Sequence, residues 1–195
     1  IVPGKISASV TVDSYYAELP VKVVTDGTLT TGYAINSVTS SVSKVGVYGD
    51  EDAIKSLSYI EAKINVNGLS TDKTYNVSLV KPAGVRYISE TSTKVDVKLE
   101  KESSREITGI VVERENLGNG YNVTAYSEED RNITVIIKGV SSVIDAIEAS
   151  DIKAVIDLSG YTPGTYDVKV KVIVNDVRVT ALPKSETVKI RISNK

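Results

Sequence analysis

The chain has 195 residues, enough for one large β-rich domain or two small ones, and 23 Lys and Arg nearly balance 25 Asp and Glu to leave a net charge of −2. It contains no His, Cys, Met, Phe or Trp, and Tyr, present 11 times, is its only aromatic. Imidazole bases, thiol nucleophiles, disulfides and His- or Cys-ligated metals are thereby excluded, and only carboxylates, Lys, Ser, Thr and Tyr remain for catalysis. Val (30), Ile (19) and Thr (17) are stiff, β-branched residues that favour pleated strands, and together they predict a mainly β protein.

The chain opens Ile1-Val2-Pro3-Gly4 with no initiator Met, as expected of a processed product or a fragment. Residues Ile6 to Val12 alternate as a strand, and Pro3, Val10 and Val12 stand 180 positions before Pro183, Ile190 and Ile192. Residues 1–19 are therefore expected to be the last strand and linker of a preceding module. Two full modules are expected after it, at 20–101 and 102–195, because the chain repeats itself in order. Gly32-Tyr33-Ala34-Ile35 matches Gly120-Tyr121-Asn122-Val123, and Val47-Tyr48-Gly49 matches Ile137-Lys138-Gly139. Ala62 to Gly68 matches Ala154 to Gly160, Lys73 to Leu79 matches Gly164 to Val170, and Gly84-Val85-Arg86 matches Asp176-Val177-Arg178. Val95, Val97 and Leu99 match Val188, Ile190 and Ile192.

Strict alternation predicts strands at Lys94 to Leu99, at Asp167 to Val174 and at Val188 to Ile192. Each module carries one short helix candidate. Asp50 caps a turn presenting Ala53, Ile54 and Leu57, and Ser141 or Ser142 starts one presenting Val143, Ile144 and Ile147. Turns are expected at Asp26-Gly27, Asn67-Gly68, Asn119-Gly120 and Pro163-Gly164, and the polar Lys101 to Arg105 reads as a linker.

Candidate chemistry is sparse. Asp50-Glu51-Asp52 and Glu128-Glu129-Asp130 fit cation ligands by residue type, but acids in a helix's first turn or in a solvated loop account for them, and neither has the ligand alternation of a calcium loop. Ser41-Val42-Ser43-Lys44 has S-x-x-K spacing, yet it sits in a strand pattern and lacks the partner motifs that make such a Ser a nucleophile. Paired carboxylates for glycoside hydrolysis are allowed by composition, but the Trp, Phe and His that line such sites are missing. No phosphate-cradling Gly motif occurs. The repeated pairs Tyr33 with Tyr121 and Tyr75 with Tyr166 read as amphipathic core fillers in preference to a ligand face. Asn76, Asn122 and Asn132 begin N-glycosylation patterns that matter only in a eukaryotic source. Charges of both signs alternate along the strands, so nucleic acid is not an expected partner, and no apolar run reaches the roughly 20 residues of a membrane span. No catalytic, cofactor-binding or metal-ligating residue is assigned. The absence of Cys fits a protein outside a bacterial cell and equally a cytoplasmic one.

Ile152 to Gly160, then Pro163 to Val168, then Leu182-Pro183 ahead of Val188, Ile190 and Ile192, resemble a YbbR-like domain, and the resemblance covers nearly the whole chain. The first copy departs from the pattern, with Asn65-Val66-Asn67-Gly68 in place of Asp-Leu-Ser-Gly and no Pro before Tyr75. The resemblance implies tandem modules of intertwined β-strands, each with one short helix. It further implies a protein held by one N-terminal transmembrane helix absent from this sequence, with its modules outside a Gram-positive cell. There it would regulate the membrane diadenylate cyclase CdaA, which makes cyclic di-AMP. No residue carries over as a regulatory site, because the motif positions are structural turns. Three other readings stay open: a cell-surface stalk or adhesion module, a wall-binding module acting through the repeated tyrosines, and a carboxylate-based carbohydrate enzyme.

Overall fold

Alternating Val and Ile side chains force most of this chain into strands whose inward faces must find one another. The computed structural model describes residues 14–195, so the Ile6 to Val12 strand expected at the start lies outside the described residues. The first repeat contains β1 (Tyr15–Asp26), β2 (Tyr33–Ser40), β3 (Lys44–Gly49), α1 (Glu51–Ser56), β4 (Ile60–Asn65), β5 (Lys73–Ser78), β6 (Val85–Ile88) and β7 (Ser92–Lys101). The second contains β8 (Ser103–Glu115), β9 (Tyr121–Ala125), α2 (Glu128–Arg131), β10 (Asn132–Gly139), α3 (Ser141–Ile144), β11 (Ile152–Asp157), β12 (Gly164–Lys169), β13 (Lys171–Val174), β14 (Thr180–Pro183) and β15 (Thr187–Asn194). A 3-10 turn, Ala149–Asp151, leads into β11.

The residues fall into two compact units. One takes the chain up to Val24 with Ser40–Ile64 and Tyr75–Val95, and the other takes Thr25–Thr39, Asn65–Thr74 and Asp96–Lys195. Strands β1, β2, β4, β5 and β7 each change unit partway along, which is the intertwining that the resemblance implied. Strands β2, β7 and β5 lie in that order in one small sheet.

The first unit is organised by a sheet in the order β4-β1-β3-β6. Strands β1 and β3 run antiparallel, with Leu19 opposite Val45 and Ala17 opposite Val47. Val45, Val47, Ile60, Ala62 and Ile64 are buried on its inner face together with Ile54 of α1. Burying each such Val or Ile contributes about 1.5 to 3 kcal/mol. Helix α1 starts as predicted: the Asp50 carboxylate accepts from the Ala53 N–H at 3.0 Å, and Glu51 and Asp52 lie in its first turn.

The second unit packs two sheets face to face. One has the order β13-β11-β8-β10-β14 and the other β12-β15-β9. In the first, β8 pairs antiparallel with β10 and parallel with β11, with Ala154 opposite Val112. Ile133, Val135 and Ile137 of β10, Ile156 of β11, Val168 of β12 and Ile190 and Ile192 of β15 share one core. The buried triads Ala62, Ile64, Val66 and Ala154, Ile156, Leu158 occupy the positions that the repeat aligned.

Three local expectations are corrected. The polar Lys101 to Arg105 is strand apart from Glu102, since Ser103, Ser104 and Arg105 already pair with Gly139, Lys138 and Ile137 and the Arg105 guanidinium donates to the Ile147 carbonyl. The polar residues there hold ladder positions, Ser104 exposed and Ser103 and Arg105 half-buried, and do not form a linker. The alternation from Asp167 to Val174 is two strands, β12 and β13, which belong to different sheets and meet at buried Val170. Alternation survives the corner because both sheets line the same core. Finally, α3 starts at Ser141 as expected but without a side-chain cap, Val140 standing at its N-cap position, and the acids at Glu128 to Asp130 close into the extra one-turn helix α2.

Candidate interaction surface

In β1 and β3 the pleat that sends Leu19, Val45 and Val47 inward sends Tyr16, Glu18 and Tyr48 outward. The register then sets Tyr16 opposite Tyr48 and Tyr48 opposite Tyr87 of β6, so that three tyrosines cross three adjacent strands in one row. Their ring centroids are 4.7 and 5.9 Å apart, with tilts of 41° and 55°. Gly46 makes room for the first ring, since a Cβ there would lie 3.0 Å from the Tyr16 ring. The Tyr16 hydroxyl donates to Glu18 at 3.4 Å. Lost hydration, followed by the Glu18 carboxylate, raises the Tyr16 phenol above its ordinary value. All three rings remain open to solvent, at 47%, 40% and 58% exposure. An exposed, contiguous aromatic row of this kind is the candidate interaction surface of the first unit.

The tyrosines singled out by the repeat behave differently. Tyr121 and Tyr166 pack against the core of the second unit, and Tyr166 meets Tyr161 edge-on at 4.9 Å. Tyr75 is half-buried, and burial raises its phenol. Tyr33 departs from the core-filling expectation and is 39% exposed. With Thr28 and Thr30 it lines a cleft of about 310 Å³ in the second unit, across from Lys138, Thr180 and Leu182. Beside this cleft Ala34 is buried against Val140 and Val143, with Val179 packed on them.

The acidic runs are occupied structurally. Glu51 pairs with Lys55 at 2.6 Å, while Asp50 caps its helix. Asp130 accepts from the Ser127 hydroxyl at 2.7 Å and from the Lys189 backbone N–H at 2.6 Å, tying α2 to β15. Partial burial pushes the Asp130 carboxyl up, but the Ser127 hydroxyl and the Lys189 and Ser127 amides outweigh it and hold it below the usual carboxylate range. A depressed folded value means that stability from this carboxylate is fully present above its unfolded value of about 3.9 and is lost as pH falls through the folded one. The difference in urea midpoint between the native protein and Asp130→Asn is therefore expected to be greatest near neutral pH and to shrink on acidification below about pH 4. Urea titrations at a series of pH values check this, and a difference that grows on acidification would contradict it.

The S-x-x-K residues are not brought together as a nucleophile and base. The Ser41 hydroxyl lies 3.1 Å from that of Thr93 and accepts from the Lys94 N–H, while Lys44 opens β3 opposite Pro20. Thr93 is the buried polar residue of this hydroxyl cluster. Asn76 and Asn122 lie exposed on strands, and Asn132 donates its amide to Glu128 at 2.9 Å. A second, open cleft of about 810 Å³ lies in the second unit over Val112, Ile156 and Ile190, rimmed by Glu113, Arg114 and Arg131. Its charges are of both signs, and Arg131 pairs with Glu128 at 3.7 Å. Among the described residues no three Asp or Glu side chains gather as metal ligands, and no helix is long and apolar enough to cross a membrane.

The Tyr16, Tyr48 and Tyr87 row escaped the sequence reading because its members come from strands brought together only by the fold. One signal was available. The aligned Val47-Tyr48-Gly49 and Ile137-Lys138-Gly139 differ at the outward position, so a tyrosine stands where the repeat does not require one.

Comparison with known proteins returns a family model described as YbbR-like protein, matching residues 19–99 and 106–192. A curated relative, the CdaA regulatory protein CdaR of Bacillus subtilis strain 168, is 26% identical over 171 residues, which is 87% of this chain and 35% of that protein. The chain thus spans about a third of that relative's length. Among solved structures, a YbbR-like domain from Listeria monocytogenes is 21% identical with a TM-score of 0.41, covering 48% of this chain and 95% of that one. A YbbR-like protein from Streptococcus pneumoniae TIGR4 is 16% identical with a TM-score of 0.38, covering 97% of this chain and 99% of that one.

Proposed function

Because this chain belongs to the YbbR-like family, we propose that it is a tandem-module segment of a CdaR-like regulator of the diadenylate cyclase CdaA, acting by protein contact and not by catalysis. In this reading residues 20–101 and 102–195 are two modules, and residues 1–19 end a preceding one. The modules stand on the extracellular face of the cytoplasmic membrane of a Gram-positive cell. One N-terminal transmembrane helix of the full-length protein carries their influence to the cyclase, and cyclic di-AMP synthesis is the output.

The observation that carries the reading is the similarity to CdaR over 87% of the chain, spread across both repeats and not confined to one motif. The chemistry of the surface agrees with it. The acids cap helices and bind backbone amides, and the exposed aromatic row offers contact area without a nucleophile or base. The stalk or wall-binding reading is the alternative, and it predicts no dependence of the messenger on this protein.

Deleting the full-length gene is expected to change the intracellular cyclic di-AMP level. Restoring the gene with its membrane segment should return that level, and restoring it without the segment should not. Mass-spectrometric measurement of the messenger under several growth conditions checks this. An unchanged level throughout would end the regulator reading in favour of the stalk.

A further inference from the structure

The internal duplication supplies a control for the tyrosine row. In the first repeat the outward register runs Tyr16, Tyr48, Tyr87 across β1, β3 and β6. The same strands of the second repeat, β8, β10 and β14, carry Ser104, Lys138 and Thr180 at the same register. The fold is therefore built equally well without the rings, and three tyrosines of 40% exposure or more are not explained by the needs of the sheet.

The second repeat also indicates what such a face meets. Within the second unit, the outward Lys138 and Thr180 look across the cleft at the Thr28 to Tyr33 stretch, and Ala34 is buried against Val140, Val143 and Val179. That stretch is the turn and first residues of β2 of the repeat that comes before. The aligned positions in the first repeat, around Tyr48, Tyr87, Ala53 and Val85, have no preceding repeat among the described residues. Modules that repeat along a chain reuse one interface between neighbours, so that a face covered in one copy is the face offered by the next.

We infer that the Tyr16, Tyr48 and Tyr87 face is the seat of a further YbbR-like module on the N-terminal side, which lays its counterpart of Thr25 to Ile35 across the three rings. This rests on the tandem-array part of the proposed function, but not on cyclase regulation. Three observations specify the occupant: the equivalent face of the second repeat meets that segment of its predecessor, Pro3, Val10 and Val12 repeat the pattern of a module's end, and the chain spans only 35% of its CdaR relative. Aromatic rings suit such a seat, since each buries a large area at small entropic cost and keeps a hydroxyl for the polar rim.

The test compares this chain with the full-length natural protein in detergent, using tetranitromethane as the probe and peptide mapping to read nitration at each tyrosine. Tyr16, Tyr48 and Tyr87 are expected to react about tenfold more slowly in the full-length protein, a protection equivalent to roughly 1.4 kcal/mol of docking. Tyr126, 68% exposed in the second unit, should react equally in both and serves as the internal control. Exchanging Tyr48→Lys and Tyr87→Thr, the residues that the second repeat itself tolerates, should leave the melting temperature of this chain unchanged. In the full-length protein Tyr16 should stay protected after this exchange, because Lys138 and Thr180 hold the equivalent seat in the second repeat.

Equal nitration in both proteins overturns the inference and leaves the regulator reading standing. A full-length sequence with no module ahead of Ile1 overturns the inference together with the reading of residues 1–19 as the end of a preceding module. Protection of the three rings in this chain by added soluble wall glycan assigns the face to a carbohydrate and overturns the module as its occupant.

Discussion

Replacing Ile137 by Ala is expected to destabilise the second unit by about 4 kcal/mol, because the side chain is fully buried at the centre of β10 and its loss leaves a cavity that the surrounding sheet cannot fill. Its neighbours Val135 and Ile144 are also buried in that core, and the two sheets meet over it from both sides. With a urea slope of about 2 kcal/mol per M, the midpoint should fall by about 2 M. Ile107→Ala, at a position only partly buried beside the same core, should cost about a third as much and provides the comparison. Equal losses at the two sites would mean that this centre is not packed as described.

Gly84→Ala is expected to cost about 3 kcal/mol from two sources that a second substitution separates. The residue has φ +81, a left-handed conformation that penalises any Cβ, and an added Cβ would stand 2.3 Å from the Cβ of Ala53 in α1. The same tight corner brings the Gly84 carbonyl to the Asp50 N–H at 3.0 Å, so the backbone cannot retreat without losing that hydrogen bond. Ala53→Gly alone should cost about 1 kcal/mol of helix propensity. Combined with Gly84→Ala it removes the collision but not the left-handed strain, so the double variant should be more stable than Gly84→Ala alone. Thermal denaturation of the four proteins gives the coupling energy, and simple additivity would show that the collision is relieved in some other way.

What was legible in the sequence and what was not divide along a physical line. Strand periodicity is a local property, so β7, β15 and the matched triads of β4 and β11 could be read from Val and Ile spacing alone. The cap at Asp50 was equally local. Sheet membership is not local. One alternation from Asp167 to Val174 serves two sheets, and nothing in the spacing marks the switch at Val170. The polar run at Lys101 to Arg105 misled for a related reason, since an outward ladder position and a linker share one composition. The candidate surface was the least legible part. Tyr16, Tyr48 and Tyr87 lie far apart in the chain and meet only through the β1, β3 and β6 register. The repeated tyrosines that did attract notice include Tyr121 and Tyr166, which spend their rings on the core.

The way β9 finds its partner has a consequence for how the protein is made. Its ladder in the described sheet is with β15, so that Ala125 waits for Ile190, which leaves the ribosome 65 residues later. Strand β12 meets the same partner, with Tyr166 opposite Ile190. Until β15 is synthesised, the nascent chain carries both strands with open edges and Val123 and Val168 uncovered, a state that invites pairing with other unfinished chains. Truncation just before Thr187 should therefore give insoluble protein and not a shortened soluble one, and β15 acts as the lock that closes the second unit after β9 and β12 have been made.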